Sequence, residues 1–435
     1  NTMRSTKRKC SLVMVSILIL VICASISMAK TLNVWTGYPE LEPFYEWAGK
    51  EFAKTHPGVD VRVLSTSLRE YEQKLVTSIP AGVGPDIFDI SMMVGSRFID
   101  AKLIPPNSAE IDAYLKSGAW HDFSVDYVTR DGKTYGVPLL NGSRAALYYN
   151  KDMFEEAGLD PNQPPETFAE LMEYAKKLTK YDEKGAIVRS GLSLRITGGG
   201  SGLTEKFGFV LYNAGGDVIV PTADGKWKNG LDSEAGCRAL QFYIDAIHKY
   251  RVDAPEVRHD AEAFVTEHTA MFLRESWVIE EIKSKNPSLN YGTAAMPGWV
   301  RRATLTQPWP IFLSAAGAKS KEAQEFLVFL TGRDAAGKMT ELSGWIPDRL
   351  DFDWEGLTDN VPAYEVFVHP PKSLGYYSDP LTAAYDEVYT KVADKLIELF
   401  RDESLVDNPE GIKAAAGELG KIADKVLERQ GLLGR

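Results

Sequence analysis

The stretch Asp131–Leu178, DGKTYGVPLLNGSRAALYYNKDMFEEAGLDPNQPPETFAELMEYAKKL, decides the fold. Asp131-Gly132 predicts a turn, and Thr134–Leu140 and Ala145–Tyr149 carry the apolar, β-branched and aromatic residues of two strands. Asn150 has a short side chain that accepts from free amides at a helix start. It predicts a helix over Lys151–Ala157 that stops at Gly158. Pro161, Pro164 and Pro165 hold the chain extended. Thr167 and Glu170 then have capping-box spacing, and Phe168, Leu171, Met172, Ala175 and Leu178 recur on one helical face.

Toward the N-terminus the pattern is strand and helix in alternation. Thr31–Trp35 alternates as a strand, and Leu41, Phe44, Tyr45, Ala48 and Phe52 line one face of a helix over Glu40–Lys54. Val59, Val61 and Val63 alternate again, Leu68–Ile79 is a second helix, and Pro85–Ile90 is a third strand. Such βαβ units predict a parallel sheet with right-handed crossovers. Ligands of these sheets bind beyond the carboxyl ends of the strands. That rule selects the loops Thr36–Glu40, Ser65–Arg69 and Ser91–Arg97, and with them Trp35, Tyr38, Ser67, Arg69 and Ser91.

The 435 residues suffice for two or three domains, and the net charge of −11 with no basic stripe excludes a general nucleic-acid binder. Arg4, Lys7, Arg8 and Lys9 precede an apolar run, Leu12–Ile26, and the small-x-small site Ser27-Met28-Ala29. Residues 1–29 therefore read as an export signal cleaved near Ala29, short for a membrane span; retention as an anchor is one alternative and lipid attachment at Cys23, for which Ile22 is a poor preceding residue, is another. Removing them takes the charge to −15 and leaves Cys237 as the single cysteine, so no internal disulfide can form. Helical spacing with Leu240, Ile244 and Ile247 makes Cys237 a core residue.

Catalytic and metal motifs fail on inspection. Gly332–Met339 is one residue short of a P-loop, lacks Ser or Thr after Lys338, and follows a predicted helix. Gly198–Gly202 has no dinucleotide spacing and reads as a turn whose amides can meet a ligand. The six histidines are scattered, so neither a metal nor another cofactor is implied. The adjacent tyrosines Tyr376 and Tyr377 raise a ferric-ion receptor as one alternative; a secreted polysaccharide-processing enzyme is another.

The central stretch resembles the extracellular solute-binding proteins of ABC importers, in the carbohydrate group that includes maltose- and glycerol-phosphate-binding proteins. Asp131-Gly132-Lys133, Tyr135–Pro138, Leu147–Asp152 and Ala157–Asp160 carry the likeness, with Phe168 where Trp is usual. His56–Val59, Gly84–Phe88, Ala270-Met271 and Trp277 extend it along most of the chain. The resemblance implies an α/β, two-lobe type II periplasmic-binding-protein fold with an interlobe cleft and hinge. It implies an N-lobe from 30–140 and 290–331 and a C-lobe from 141–289 and 332–435. The implied protein is a periplasmic, monomeric receptor that closes on a carbohydrate and passes it to the permease transmembrane subunits.

Sugar sites need flat aromatic faces and planar polar partners. Trp277 stands at the family's ligand-contacting position, with Ser276 beside it; Trp309 and Trp345 join Trp35 and Tyr38 as further aromatic candidates. Asn141, Ser143 and Arg144 fall where the chain is expected to pass between lobes. Arg69, Arg144 and Arg195 near the crevice suggest an acidic or phosphorylated sugar, because a guanidinium grips such groups bidentately. The loop Asp89–Met93 lacks the aromatic and acidic residues of the malto-oligosaccharide pattern.

Overall fold

The computed structural model describes residues 30–142 and 144–434. The expected export segment and the candidate Ser143 lie outside the described residues.

Alternation sets the first sheet. In β1 (Lys30–Thr36) Leu32, Val34 and Thr36 are buried while Thr31, Asn33 and Trp35 are half-buried. β2 (Val59–Ser65) pairs parallel with one edge of β1, and β3 (Ile87–Asp89) pairs parallel with the other. The connecting helices are α1 (Glu42–Thr55) and α2 (Leu68–Ser78), and α3 (Met92–Asp100) follows β3. α1 packs Phe44, Tyr45, Ala48 and Phe52 on one face of the sheet. Tyr71 and Leu75 of α2 pack with Phe98 of α3 on the opposite face. β4 (Val137–Asn141) forms an outer strand of this sheet, separated from β3 by a strand that returns from Pro308–Leu313.

β5 (Ala145–Asn150) begins a second sheet. Asn150 caps the next helix as its side chain predicts, accepting from Met153 N at 3.0 Å. α4 (Phe168–Leu178) starts in a complete capping box. Thr167 Oγ1 accepts from Glu170 N and Glu170 Oε2 accepts from Thr167 N, each at 3.1 Å. Such a cap is worth about 1 kcal/mol. α5 (Ser201–Asn213) follows the glycine run. β6 (Met271–Glu275) and β7 (Tyr291–Ala294) flank β5 on its two sides, both antiparallel.

The pairing of β7 departs from the expected boundary at residue 290. Tyr291–Ala294 stays with β5, and β8 (Ala303–Leu305) is also outside the first sheet. The chain rejoins that sheet only with β9 (Pro308–Leu313), antiparallel to both β3 and β4. The boundary expected at 331/332 also moves. After α6 (Lys321–Leu330), α7 (Arg333–Ser343) puts Ala335 and Met339 into the same core as α1. This helix is the segment resembling a P-loop, and it follows a helix as expected. Beyond it, β10 (Gly375–Tyr377) pairs with β8, and α8 (Tyr385–Leu399) and α9 (Pro409–Arg429) bury their apolar faces in the core around β5 and α5.

Among the described residues, no helix is long and apolar enough to cross a membrane.

Candidate functional site

The two sheets meet where β4 gives way to β5. Asn141 is buried, its backbone N–H donates to Ile346 O at 3.0 Å, and its side-chain amide donates to Thr306 Oγ1 at 2.9 Å. Gly142 N–H donates to Gln307 O at 3.1 Å. A Cβ on Gly142 would lie 2.5 Å from the Trp309 indole, so a residue without a side chain is required. Tyr38, beyond the end of β1, packs edge-on against Trp309 with ring centroids 4.6 Å apart. The Trp309 indole N–H is buried with no hydrogen-bond partner among the described residues.

The second sheet contributes the end of β6. Arg274, Glu275, Ser276 and Trp277 follow one another as the strand opens into a helix. The Trp277 N–H donates to the Glu275 carboxylate at 3.2 Å, and the Arg274 guanidinium lies 5.2 Å from the Trp277 ring centre. Trp345, from the loop after α7, lies 6.5 Å from Trp277 and donates its N–H to Glu40 Oε1 at 3.1 Å. Indoles from the two halves therefore stand side by side, each tied to a carboxylate.

Behind Trp277 is a buried ionic nest. Glu275 is 3 % exposed and pairs with Lys206 of α5 and with Arg274 at 2.9 Å. Arg274 also reaches Asp260 at 2.6 Å, and Lys206 reaches Glu205 at 2.7 Å. Burial alone would raise the Glu275 pKa, but Arg274 and Lys206 overcome it and hold the carboxyl down at about 2. The nest continues to Asp379, which accepts from the Tyr385 and Tyr389 hydroxyls at 2.9 and 3.0 Å. Burial first, and then the neighbouring Glu205, push Asp379 up to about 7. From the segment between β8 and β9, the Gln307 amide N–H donates to the hydroxyl of Tyr127 in the first half at 2.6 Å. Both Asp379 and Glu205 act electrostatically on that phenol. Gln307 Oε1, Ser276 Oγ and the Tyr377 hydroxyl are buried with no hydrogen-bond partner among the described residues.

The structure thus brings Tyr38, Asn141, Ser276, Trp277, Trp309 and Trp345 to one junction. Trp35 is elsewhere: it packs against the α2 side of the first sheet with Lys74 Nζ 4.9 Å from its ring centre. Ser91 caps α3, accepting from Val94 N, and Ser67 is an exposed residue at the start of α2. The three arginines do not converge. Arg144 donates to Phe367 O and lies 4.9 Å from the Tyr376 ring centre, while Arg195 faces Asp260 at 3.9 Å. Arg69 bridges the halves: it donates to Ser201 Oγ at 3.1 Å and lies 3.6 Å from Asp386 of α8, which Arg97 also approaches at 3.9 Å. Gly200 has φ +72°, and a Cβ there would meet the Arg69 guanidinium at 2.3 Å. The glycine run is therefore the seat of an arginine.

Sequence reasoning missed Glu40, Lys206, Arg274, Glu275, Gln307 and Asp379. Lys206 had one signal, a lone cation among Leu203, Phe207 and Val210 on an apolar helix face. Larger hollows lie on outer surfaces. One of about 780 Å³ is lined by Phe52, His56, Tyr114 and Phe329, and one of about 430 Å³ by Phe168, Cys237 and Trp299. Among the described residues no group of three or more His, Cys, Asp or Glu is placed to hold a metal ion.

Two mixed α/β halves joined through crossing strands, with polar and aromatic groups facing one another between them, define a type II periplasmic-binding-protein fold. Residues 38–337 match the family model described as bacterial extracellular solute-binding protein, and the chain belongs to that family. It is 26% identical over 330 residues to the sn-glycerol-3-phosphate-binding periplasmic protein UgpB of Pectobacterium atrosepticum, covering 68% of each chain. The lactose-binding protein of Rhizobium radiobacter is 23% identical over 330 residues, covering 72% of this chain and 73% of that one. An ABC transporter solute-binding protein of Thermotoga lettingae, solved with α-D-tagatose, superposes with a TM-score of 0.74 at 26% identity. The match covers 91% of this chain and 100% of that one.

Proposed function

We propose that this protein is an exported, non-catalytic receptor that captures a carbohydrate between its halves and delivers it to the permease of an ABC importer. The halves that close are residues 30–141 with 308–345, and 145–305 with 354–434, turning about the segments between them. The observation that carries this reading is the junction itself. Paired indoles stand beside Trp309 Nε1, Gln307 Oε1 and Ser276 Oγ, all buried without partners among the described residues. An unmet buried polar group costs about 1–3 kcal/mol. A sugar supplies C–H faces to the indoles and hydroxyls to the polar atoms. Lactose and tagatose, named for two of the relatives, belong to that class, and glycerol phosphate is a phosphorylated polyol.

A thermal-shift screen over neutral oligosaccharides, amino sugars, uronides and glycerol phosphates tests the proposal. The expected result is a raised melting temperature for a carbohydrate class, with the ligand recovered uncleaved. Sustained release of cleaved product would overturn the non-catalytic assignment. Trp277→Ala should weaken binding of the ligand found by about tenfold or more, whereas Trp35→Ala should leave the affinity within about twofold.

A further inference from the structure

Asp89, the last residue of β3, is buried. Its carboxylate accepts from the Tyr45 hydroxyl of α1 at 2.5 Å and from Thr36 Oγ1 at the end of β1 at 3.1 Å. From the opposite face of the sheet, the Tyr71 hydroxyl of α2 donates to Asp89 O at 2.7 Å and to Trp35 O at 3.1 Å. The ends of β1 and β3 are thus fastened together. Thr36 passes this hold onward, because the Tyr38 N–H donates to the same Thr36 Oγ1 at 3.1 Å. Gly37, between them, lies so close to Tyr71 that a Cβ would stand 2.4 Å from its ring. Tyr38 in turn packs on Trp309, and Trp309 on Gly142. Contacts therefore run without a break from a buried carboxyl to an aromatic wall of the junction and the segment crossing between the halves. Sheet packing by itself gives no reason for an acid here: a buried carboxyl is unfavourable unless donors meet it, and its neighbours Ile87, Phe88 and Ile90 are the residues such a place ordinarily takes.

Resting on the receptor reading above, we propose that Asp89 is a positioning residue of the sugar site, holding Tyr38 through Thr36 against Trp309. The hold depends on the charge of the carboxyl. Ionised, it accepts the Thr36 hydroxyl; protonated, it becomes a donor itself, and the Thr36 hydroxyl turns to Tyr38 O, 3.5 Å away. Burial pushes Asp89 up to about 7, although the Tyr45 and Thr36 hydroxyls favour its ionised form. The titratable groups turned toward it are Tyr45 from α1, Tyr71 from α2, and Tyr38 and Glu40 after β1, with Glu72 beyond Tyr71. Pro308–Leu313 of β9 contains none. Burial keeps the three phenols neutral throughout the neutral range, and it raises Glu40 as well, so Glu40 is the competitor to be separated from Asp89.

The test is fluorine NMR of the full chain labelled with fluorotryptophan and free of sugar, the Trp309 resonance being the one that Trp309→Phe removes. The expected result is a Trp309 shift between pH 5 and pH 8 with its midpoint at about 7, absent in Asp89→Asn. Thr36→Val should abolish the shift although Asp89 still titrates there, and Thr36→Ser should restore it. That pair carries the test should Asp89→Asn fail to fold, and a merely structural loss would not be rescued in this way. A Trp309 resonance indifferent to pH, or one that still moves in Thr36→Val, overturns the inference. So does a shift that vanishes in Glu40→Gln and persists in Asp89→Asn. In calorimetric titrations of lactose, tagatose, glycerol phosphate and each sugar found by the thermal screen, those that bind should do so about threefold or more tightly at pH 8 than at pH 5, and Thr36→Val should lose the difference. Affinities independent of pH overturn the inference and leave the receptor standing. Binding of none overturns the receptor reading, while the Trp309 resonance still decides for or against Asp89.

Discussion

Two sets of ion pairs join the parts of this molecule, made from the same kinds of residue and serving different ends. The nest of Lys206, Glu275 and Arg274 lies inside one half, with side chains 9, 4 and 12% exposed. The bridge of Arg69 and Arg97 to Asp386 spans both halves, with side chains 47, 43 and 30% exposed. Water decides the difference. In the nest each charge has lost its hydration and depends on its partners, so removing one leaves the others stranded. At the bridge, solvent and salt replace whatever is lost, and such pairs are worth about 0–1 kcal/mol. The nest fixes the wall behind Trp277; the bridge is a contact that can open.

The largest effect that separates them is on stability. Lys206→Met should cost about 3–5 kcal/mol in chemical denaturation, because Glu275 would keep its charge in a buried place. A loss below about 1 kcal/mol would show that the nest is hydrated in solution and erase the contrast. An intermediate effect follows from pH. Burial pushes Asp89 and Asp379 up to about 7 and Asp348 up to about 6, so the folded chain keeps protons that the unfolded chain releases above pH 4. Their contribution is present at pH 4 and is lost as pH rises toward 7. Glu275, held down at about 2, acts oppositely and withdraws its support only below about pH 4. Thermal melts should therefore give a higher Tm at pH 5 than at pH 8. Asp89→Asn should flatten that slope, and an unchanged slope would remove Asp89 from it. The smallest effect belongs to the bridge. Asp386→Asn should change stability by less than about 1 kcal/mol while increasing the expanded fraction seen by X-ray scattering in dilute buffer. In about 1 M salt, where the screening length is near 3 Å, the variant and the parent should scatter alike.

Much of the fold was legible because its signals are local. Asn150, the Thr167–Glu170 box and the alternating β1 and β2 all form as their residues predict. The misplaced boundaries at 290 and 331 are failures of non-local information. Tyr291–Ala294 is half-buried throughout and nothing in its four residues names β5 as its partner. Likewise the apolar stripe of α7 does not state which core it enters. The aromatic members of the junction were legible from their places beyond strand ends, except Trp35, whose position one residue before buried Thr36 turns it to the other face of the sheet. The charged members were not legible. Glu40, Lys206 and Asp379 are separated by well over a hundred residues from one another, and an acidic chain offers too many carboxylates to single out those that fold inward.

Three of the nine tryptophans, Trp277, Trp309 and Trp345, stand at the meeting of the halves, and Trp277 and Trp345 come from opposite sides of it. Any relative movement of the halves alters how much water those two indoles meet and how near each lies to its carboxylate. The protein is thus equipped with an intrinsic optical signal. Its emission wavelength should follow occupancy of the junction without a label, and Trp277→Phe and Trp345→Phe would assign the change to one side of the molecule or the other.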